Sequence, residues 1–331
     1  MKVALLGATG AVGRTMLQVL SERSFPVDEL VLLASPRSAG ARIAWSGRDW
    51  AVHAPEPGVF ADCDVALFSA GAARSREWAP VAAAEGAVVI DNSSAFRMDA
   101  DVPLIVPGVN SAAMDDRPRS IIANPNCATI QLVVALAALH RAGTLRRVSA
   151  TTFQSVSGAG QKGIAALREE LAGGIAEETP FVANIAGNVI PFIGPRAADG
   201  WNEEETKVRE ETRKILGLPR LHVTATCVRV PVEVGHSVSA VVELENPLSM
   251  AEAVAALRAQ PETIVYEGAE DPLPRSTAGT DAVRVGRVRV DPDDSRIVHI
   301  WVVADNLRKG AATNAVQIAE ELVRRDMQVR A

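Results

Sequence analysis

The sequence predicts an α/β protein with two domains, and two observations carry this prediction. In the first part of the chain, short apolar runs alternate with stretches of helical spacing and end in small or polar residues. That alternation is typical of βαβ units, whose strands form a parallel sheet covered by helices. Later in the chain, strands rich in β-branched residues dominate, and several alternate apolar with polar positions, which indicates an α+β domain with a mostly antiparallel or mixed sheet.

Length and composition narrow the class of protein. The chain has 331 residues, enough for two domains, and because 48% are apolar but only 4% aromatic, we expect cores of Ala, Val, Leu and Ile. The net charge is -6 and there is no basic block, which argues against a nucleic-acid partner. No apolar run reaches membrane-spanning length and the first residues lack the layout of a signal peptide, so we expect no membrane association and a cytoplasmic location.

Four predicted strands of the first domain end in the same kind of segment. They cover 2–6, 30–34, 65–69 and 87–90, and each is followed by small or polar residues. Ligands of parallel sheets bind beyond the carboxyl ends of the strands. The four segments are therefore predicted to lie near a binding site.

The remaining chain is predicted to form the second domain. A long helix is expected over 128–141, followed by strands at 148–156, 222–230, 237–244, 283–290 and 297–304, with helices near 160–172, 202–216 and 249–259 and a last helix near 310–327. We therefore expect a first domain over residues 1–128, joined by a C-terminal helical segment at 307–331, and a second domain over residues 129–306.

A glycine-rich loop, GATGAVG at 7–13, stands between the first strand and a helical pattern. In a Rossmann-type dinucleotide-binding domain, such glycines permit a tight turn, let the backbone approach a pyrophosphate and let the helix pack on the sheet, with the helix N-terminus facing the anion. The spacing is GxxGxxG rather than GxGxxG, so a purely structural turn is the alternative. The predicted cofactor-binding residues of the loop are Gly7, Thr9, Gly10, Ala11, Val12 and Gly13.

The end of the second strand bears on the choice of cofactor. An NAD site usually offers an acidic residue there for the ribose hydroxyls, whereas this sequence offers Ser35, Arg37 and Ser38. A guanidinium and two hydroxyls suit a 2′-phosphate, so these residues favour NADP. The alternative is a solvated turn with an incidental arginine.

The three cysteines, Cys63, Cys127 and Cys227, form no CxxC pair, so we expect neither a metal site nor a disulfide framework. Cys127 follows Asn124-Pro125-Asn126 at the start of a long apolar helix, and asparagine and proline are typical of helix starts. A helix N-terminus and a nearby imidazolium lower the pKa of a thiol. Cys127 is thus a candidate nucleophile, with a buried structural cysteine as the alternative. Cys63 and Cys227 are predicted to be structural.

His236 is the candidate partner of the Cys127 thiol. It stands in RVPVEVGHS at 229–237, between two predicted strands. A general base must lie within reach of its nucleophile, and the sequence does not show that distance. An ordinary half-exposed histidine is therefore the alternative.

Five segments together resemble the aspartate-semialdehyde dehydrogenase family. They are GATGAVG at 7–13, DNSSAFR at 91–97, NPNCATIQ at 124–131, RVPVEVGHS at 229–237 and DNLRKGAATNAVQIAE at 305–320. FQSVSGAGQKG at 153–163 and ETRKILG at 211–217 fit the same family, so the resemblance extends over essentially the whole chain. The pairing of NPNC with a downstream R-x6-H is specific, because nucleophile and base lie in separate regions with their usual flanks.

The resemblance implies a reversible, NADPH-dependent reductive dephosphorylation of L-aspartyl-4-phosphate to L-aspartate 4-semialdehyde, through a thioester on Cys127. This is a step of lysine, threonine and methionine biosynthesis. The implied partners are a small-molecule substrate, phosphate and NADP. The implied assembly is a homodimer or a dimer of dimers, with the second domain serving catalysis and dimerisation.

The resemblance also implies roles for individual residues. The catalytic set is Cys127 as nucleophile, His236 as acid–base group and Gln154, which orients the acyl intermediate. The substrate set is Arg229 at the α-carboxylate, Glu204 at the α-amino group, Asn126, and Arg97 and Lys207 at the phosphate. Further cofactor contacts are implied for Ser157, Gly158 and Asn314, the last near the nicotinamide. The alternative for the charged residues is a solvated face or a surface ion pair.

Three positions depart from the family pattern. Gly108 stands where an acidic residue is usual, Gly187 where a large apolar residue is usual, and Phe192 where histidine is frequent. The run Glu203-Glu204-Glu205 leaves the amino-binding glutamate open by one position. Two other functions stay open: an enzyme similar to N-acetyl-γ-glutamyl-phosphate reductase, with the same reaction type, and a non-catalytic NADP-binding paralogue.

Overall fold

The computed structural model describes residues 1–268 and 270–330, and its contacts divide the chain into two compact units. The first unit contains Met1–Pro125 together with the segment that begins at Ala311, and the second is Asn126–Gly310. Residue 331, the end of the predicted segment 307–331, lies outside the described residues.

The elements of the fold are numbered in chain order. The strands are β1 (Lys2–Leu6), β2 (Glu29–Leu33), β3 (Arg42–Trp45), β4 (Arg48–His53), β5 (Val65–Phe68), β6 (Val88–Asp91), β7 (Ile121–Ala123), β8 (Leu145–Gln154), β9 (His222–Arg229), β10 (His236–Leu244), β11 (Thr263–Val265), β12 (Val283–Val290) and β13 (Ile297–Ala304). The α-helices are α1 (Ala11–Glu22), α2 (Ala72–Ala84), α3 (Cys127–Gly143), α4 (Gln161–Leu171), α5 (Glu203–Leu216), α6 (Met250–Ala259), α7 (Pro274–Thr277) and α8 (Thr313–Arg330).

The first unit is built on a seven-stranded sheet in the order β3-β4-β2-β1-β5-β6-β7. Its neighbouring strands are parallel, except for the antiparallel hairpin of β3 and β4. The central strand β1 is apolar and almost wholly buried, as expected for a strand covered on both faces. The parallel sheet confirms the predicted Rossmann-type architecture.

The C-terminal helix α8 belongs to the first unit because it packs against α1 and β6. Its buried residues Ala315, Val316 and Ala319 recur at helical spacing and face the core of this unit. Arg23, just after α1, donates two hydrogen bonds of 2.8 Å to the Glu320 carboxylate, which ties the two helices together.

The second unit is built on a six-stranded mixed sheet in the order β11-β12-β13-β10-β8-β9. Strand β8 is parallel to β9 and β11 to β12, while the other neighbours are antiparallel. This confirms the predicted α+β domain. Helix α3 packs against α5, α6, β8, β10 and β13, so Cys127 and Ala128 lie with this unit, although the predicted boundary followed residue 128.

The apolar character of α3 is explained by its surroundings. Every residue from Ala128 to Leu139 is buried, so this part of the helix has no solvated face. Among the described residues, no helix is long and apolar enough to span a membrane.

Two glycines of the loop after β1 are required by close packing. Gly7 has a φ of +97°, and a methyl group there would lie 2.3 Å from the Ser69 carbonyl oxygen. A methyl group on Gly13 would lie 2.2 Å from the Gly7 carbonyl oxygen, because α1 crosses directly over the turn. Glycine is therefore the residue that lets α1 sit on this sheet.

Gly13→Ala should lower the free energy of unfolding by about 1–3 kcal/mol, the usual cost of overpacking. Gly10→Ala is the matched control, because its methyl group would meet the same Gly7 oxygen at 3.3 Å and should be accommodated at a smaller cost. Thermal denaturation of the two variants measures the difference as a drop in Tm. Equal losses for both would show that the approach of Gly13 to Gly7 does not limit packing.

Candidate active site

Cys127 is the first residue of α3, and Asn126 caps that helix. The Asn126 Oδ1 accepts hydrogen bonds from the N–H groups of Ala128 at 2.9 Å and Thr129 at 3.3 Å. The positive end of a helix favours a thiolate over a thiol. Because the cap occupies the N–H groups of Ala128 and Thr129, these two donors are not open to an oxyanion.

Two carboxylates of α5 hold Asn126 from other sides. Glu211 Oε2 accepts its backbone N–H at 2.6 Å, and Glu204 Oε1 accepts its side-chain Nδ2 at 2.7 Å. The two glutamates are about two helical turns apart, so one face of α5 reaches both atoms. Hydrogen bonds to ionised carboxylates are short and strong. The residue before Cys127 is therefore fixed at its backbone and its side chain.

His236, the first residue of β10, faces Cys127. Its Nε2 lies 3.2 Å from Cys127 Sγ, and the residue is fully buried. Burial lowers the pKa of His236 well below its ordinary value, and the charge of Arg229 lowers it further. The ring is therefore a neutral imidazole at neutral pH, which replaces the expected imidazolium beside the thiol. A half-exposed histidine, the alternative from the sequence, is not what the structure contains.

Gln154 and Arg229 lie side by side at the ends of β8 and β9, where they are register partners. Gln154 Nε2 donates to Glu204 Oε1 at 3.0 Å, and Arg229 Nη1 donates to the Ser155 carbonyl at 2.6 Å. Burial lowers the pKa of Arg229, although the charge of Glu204 acts in the opposite direction. A guanidinium does not deprotonate in proteins, so Arg229 remains a buried cation.

The structure separates the three consecutive glutamates that begin α5. Glu203 is half-exposed and pairs with Lys207 at 2.7 Å. Glu205 forms the capping box with Asn202 and accepts the Cys227 backbone N–H. Glu204 is 7% exposed and is the one of the three that contacts Asn126 and Gln154.

Glu204 is ionised in spite of its burial. Burial raises its pKa, but the positive charge of Lys207, the hydrogen bonds from Gln154 and Asn126, and the charge of Arg229 outweigh that effect. The pKa of the carboxyl therefore lies below its ordinary value. The result is a buried anion next to the buried cation Arg229, beside Cys127.

The two candidate phosphate-binding residues lie in different units. Lys207 is partly exposed, and its Nζ lies 3.5 Å from Glu204, at the edge of the cluster around Asn126. Arg97, in the first unit, is 8% exposed and donates to the backbone carbonyls of Asn92 at 2.8 Å and Asn124 at 2.9 Å. Those two bonds fix the position of its guanidinium within its own unit.

The glycine-rich loop lines a cavity of about 470 Å³ in the first unit. Gly7, Thr9 and Gly10 contribute from the loop, and no side chain of the described residues caps α1. Uncapped N–H groups at a helix start are donors for an anion. Ala11, Val12 and Gly13 form the first turn of α1 behind the loop. The loop and the helix start thus fit the diphosphate of a dinucleotide.

The second strand and α2 provide the polar residues around this cavity. Ser35 lines it, whereas Arg37 and Ser38 stand in the short 3₁₀ turn Pro36–Ser38 just outside the lining. Arg74 of α2 also lines it, and its guanidinium pairs with Glu77 at 2.7 Å. Helix α2, to which the sequence assigned no binding residue, therefore places the cation Arg74 at the cavity.

Ser157 and Gly158 lie in the 3₁₀ turn Val156–Ala159 of the second unit, next to His236. A methyl group on Gly158 would lie 2.9 Å from Arg229 Nη1 and 3.4 Å from His236 Nε2. Glycine at this position therefore leaves open the space beside the cation and the imidazole. Ser157 Oγ is buried and exchanges hydrogen bonds with Asn306.

Asn314, near the start of α8, is fully buried in the first unit. Its Nδ2 donates to the Ile105 carbonyl at 3.0 Å and to Asn124 Oδ1 at 2.7 Å. Its own Oδ1 has no hydrogen-bond partner among the described residues. A buried amide oxygen without a donor is a vacant acceptor, which a carboxamide group could use.

The other two cysteines are buried in apolar surroundings. Burial raises the pKa of Cys63 and raises the pKa of Cys227 to about 12, so both remain thiols at neutral pH. Cys127, by contrast, is only partly buried and lies at a helix start. The three thiols are thus chemically distinct.

The positions that depart from the family pattern have local explanations. Gly108 and Gly187 have φ values of +79° and +71°, in the left-handed region that glycine favours. Phe192 lines a second cavity of about 440 Å³ together with Arg229, and the Arg196 guanidinium lies 4.0 Å from its ring centre. These features change turns and a cavity wall but leave the contacts of Cys127 and His236 intact.

Sequence reasoning missed several residues that contact the site. Glu211, Ser155 and Asn306 each stand inside one of the motifs that carry the resemblance, yet nothing in those motifs pairs them with Asn126 or His236. Arg74 stands outside every such motif. For Glu211, Ser155 and Asn306, their position inside a family motif was the one feature of the sequence that could have pointed to the site. Arg74 had no such feature.

Comparisons with known proteins agree with the two units. Residues 2–117 match a family model described as semialdehyde dehydrogenase, NAD binding domain, and residues 136–309 match one described as semialdehyde dehydrogenase, dimerisation domain. A parallel sheet with a glycine-rich loop, joined to a unit with a close cysteine–histidine pair, is thus the architecture of a semialdehyde dehydrogenase.

Individual relatives narrow that class. Aspartate-semialdehyde dehydrogenase of Aquifex aeolicus is 49% identical over 98% of both chains. A crystal structure of aspartate semialdehyde dehydrogenase II from Vibrio cholerae, complexed with ASA, is 48% identical over 98% of both chains with a TM-score of 0.95. Aspartate semialdehyde dehydrogenase with NADP from Candida albicans is 26% identical with a TM-score of 0.76, over 97% of this chain and 98% of that one. The chain belongs to the aspartate-semialdehyde dehydrogenase family.

The burial of His236 predicts a pH-dependent stability. An unfolded histidine titrates near its ordinary pKa of about 6.5, whereas the folded protein holds the pKa of His236 well below that value. As the pH falls below about 6.5, the unfolded state binds a proton that the folded state does not, and stability is lost at up to about 1.4 kcal/mol per pH unit.

His236→Gln should remove this part of the pH dependence. Urea unfolding measures the free energy of unfolding at about pH 7 and about pH 5.5. Between these two values the wild type should lose about 1 kcal/mol more of this free energy than His236→Gln does. His53→Gln is the control, since His53 is exposed and should behave like the wild type. Parallel losses in all three proteins would contradict a depressed pKa for His236.

Proposed function

We propose that the protein catalyses the reversible, NADPH-dependent reductive dephosphorylation of L-aspartyl-4-phosphate to L-aspartate 4-semialdehyde, in lysine, threonine and methionine biosynthesis and in the related formation of diaminopimelate. The observation that carries the proposal is the 3.2 Å separation of Cys127 Sγ and His236 Nε2 at the start of α3. It occurs in a chain that belongs to the aspartate-semialdehyde dehydrogenase family.

The thiol of Cys127 is proposed as the nucleophile. Its thiolate attacks the acyl carbon, the bond from that carbon to the phosphate oxygen breaks, phosphate leaves, and a thioester remains on Cys127. NADPH supplies the hydride that reduces the acyl group to the aldehyde level. His236, within hydrogen-bond reach of the sulfur, is proposed as the acid–base group that serves the thiol and the hemithioacetal.

The amino-acid part of the substrate is proposed to bind to Arg229 and Glu204. Arg229 is a buried cation whose forked guanidinium suits the α-carboxylate, and Glu204 is a buried anion that suits the α-ammonium. Gln154 Nε2 carries two hydrogens, of which Glu204 accepts one, and the other is proposed to orient the acyl oxygen. Asn126, between Glu204 and Cys127, sets the distance from the binding groups to the sulfur.

The phosphate is proposed to bind to Lys207 and Arg97. The Lys207 ammonium is already balanced by Glu203 and Glu204, so an incoming phosphate has to exchange with the exposed Glu203. Arg97 donates to two backbone carbonyls and so keeps a fixed orientation for an anion. Both residues are cations of the kind that bind phosphate.

NADP is proposed as the cofactor, bound by the first unit. The diphosphate would lie on the loop of Gly7, Thr9 and Gly10 and on the start of α1, which fit it without a side-chain cap. Ser35, Arg37 and Ser38 are proposed to hold the 2′-phosphate, with Arg74 as a further cation at the cavity. The vacant oxygen of Asn314 suits the nicotinamide carboxamide, and Ser157 and Gly158 are proposed as further cofactor contacts.

The two units are proposed to divide the work. The first unit, with its C-terminal helix, binds NADP, and the second carries catalysis and dimerisation. The match of residues 136–309 to a dimerisation domain supports a homodimer. Two such homodimers would form the alternative assembly, a dimer of dimers. An enzyme of amino-acid biosynthesis acts on small metabolites, which supports a cytoplasmic location and partners limited to substrate, phosphate and cofactor.

Two other functions fit less well. An N-acetyl-γ-glutamyl-phosphate reductase would place an uncharged acetamide against Glu204, whose carboxyl is ionised although buried. A non-catalytic NADP-binding paralogue would have no use for a thiol aligned with an imidazole at 3.2 Å. The charge of Glu204 and the pairing of Cys127 therefore favour the proposed reaction over both.

The reaction is tested by the reduction of NADP in the presence of L-aspartate 4-semialdehyde and phosphate, followed by nicotinamide absorbance. The wild type should be active and should prefer NADP to NAD. Cys127→Ser should lose at least about three orders of magnitude in kcat, because an alkoxide is scarcely available at neutral pH. Cys63→Ser is the matched control and should keep near-normal kcat. Substantial activity in Cys127→Ser, or equal loss in Cys63→Ser, would rule out the thioester mechanism.

The place of Glu204 is tested against its neighbour Glu203. Glu204→Gln keeps the shape but removes the charge proposed to meet the α-ammonium, so KM for the semialdehyde should rise by about 10-fold or more. Glu203→Gln alters the exposed partner of Lys207 and should change the phosphate KM rather than the semialdehyde KM. Steady-state kinetics with each substrate varied in turn distinguishes the two, and a larger semialdehyde effect in Glu203→Gln would reverse the assignment.

A further inference from the structure

A buried polar cluster contacts the second nitrogen of the His236 ring. His236 Nδ1 lies 3.0 Å from the backbone nitrogen of Ser155 and 3.0 Å from its Oγ. Asn306, which directly follows Asp305 after β13, has its Oδ1 2.9 Å from Ser155 Oγ and 2.9 Å from the Gly235 nitrogen. Ser155 and Asn306 are 0% and 3% exposed, so solvent does not replace these bonds.

The direction of each hydrogen bond follows from the groups that have no choice. The Gly235 N–H can only donate, which identifies the facing Asn306 atom as the amide oxygen. An amide oxygen can only accept, so the hydroxyl hydrogen of Ser155 points to Asn306 in the 2.9 Å bond between them. Ser157 Oγ, which accepts from Asn306 Nδ2, lies 3.1 Å from Ser155 Oγ and belongs to the same cluster. One lone pair of Ser155 Oγ then faces His236 Nδ1. By the same rule the Ser155 N–H donates to an unprotonated Nδ1, while Ser155 Oγ is the acceptor available to Nδ1 when that nitrogen carries a proton.

We propose that Ser155 and Asn306 are positioning residues that form a relay to His236 Nδ1 and allow that nitrogen to carry a proton. With Nδ1 protonated and donating to Ser155 Oγ, the lone pair of Nε2 faces Cys127 and takes the thiol proton. Without the relay, the Ser155 N–H is the group that contacts Nδ1, and it donates a hydrogen bond to that nitrogen. The ring is then held as the Nε2–H tautomer, in which Nε2 has no lone pair to accept the thiol proton. The inference rests on the proposed acid–base role of His236.

The charge of Arg229 on β9 lowers the pKa of His236 in the same direction as burial, whereas a backbone hydrogen bond at Gly235 raises it. Cys127 of α3 is the ionisable group that contacts Nε2. A relay that ends in a neutral amide stabilises a protonated Nδ1 without placing a second anion beside Glu204 in the buried site. The relay therefore works against burial and Arg229 and widens the range in which the ring exchanges a proton.

The test compares Ser155→Ala, Asn306→Ala and the double variant with Ser237→Ala as the matched control. Ser237 adjoins His236 in sequence, is 1% exposed, and its hydroxyl has no partner among the described residues. Ser155→Ala and Asn306→Ala should each lower kcat by about a hundredfold, within the usual range for general acid–base catalysis. The double variant should lose no more than either single one, since one relay is broken in each case. Ser237→Ala should retain wild-type kcat.

A second readout does not depend on turnover. In protein labelled with ¹⁵N-histidine, with His236→Gln to assign the resonance, the fraction of Nδ1–H tautomer at neutral pH should fall in Ser155→Ala and Asn306→Ala but not in Ser237→Ala. Asn306→Asp keeps the acceptor oxygen, replaces the amide nitrogen with a second oxygen and adds a negative charge, so the pH midpoint of the His236 titration should rise.

Each outcome decides the proposal. A relay that is merely structural would lower Tm in Ser155→Ala without changing the tautomer fraction or kcat relative to Ser237→Ala, and that result would overturn it. Additive losses in the double variant would also overturn it, because they would mean two independent effects. If the wild type proves inactive on the semialdehyde while the tautomer shift occurs as expected, the proposed function fails but the relay stands.

Discussion

The site depends on how Asn126 is held. Its side-chain oxygen caps α3, its amide nitrogen binds Glu204, and its backbone N–H binds Glu211. Because Cys127 is the next residue, these bonds determine where the sulfur lies and keep it at the positive end of the helix. The 3.2 Å distance between Cys127 Sγ and His236 Nε2 depends on these bonds of Asn126. The contact of Gln154 with Glu204 belongs to the same hydrogen-bond cluster.

The buried charges of Glu204 and Arg229 are stable only together with their hydrogen-bond partners. Glu204 and Arg229 are each less than one-tenth exposed, and an isolated buried ion is costly. Here the carboxylate accepts bonds from Asn126 and Gln154, and the guanidinium donates to the Ser155 carbonyl. Removing one partner of such a cluster usually costs more than the cluster contributes, because the remaining charge is left without compensation.

The same cluster tunes the imidazole. Burial and Arg229 keep His236 neutral, so the positive feature beside the Cys127 sulfur is the N-terminus of α3 rather than an imidazolium. Cys63 and Cys227 lack such surroundings, and their burial raises the pKa of both thiols. The three side chains share one covalent structure, so the differences between their surroundings come from their positions in the fold.

The sequence by itself determined the fold class and the identity of the site motifs. Apolar runs such as KVALL, the glycine spacing at 7–13 and the β-branched strands at 283–290 and 297–304 are local patterns, and the structure contains the corresponding elements. Periodicity and backbone permissiveness act between near neighbours, so a sequence displays them directly. The short hairpin of β3 and β4 was not predicted, because its strands are brief and half-exposed.

Only the tertiary structure decided which side chains meet. It selected Glu204 from three consecutive glutamates, brought Glu211 to the Asn126 backbone, and connected Asn306 to Ser155 beside His236 across 151 positions of the chain. It also made His236 a buried neutral imidazole rather than a half-exposed histidine. Distances, burial and the resulting pKa shifts arise from segments far apart in sequence that pack together, and no local pattern encodes them.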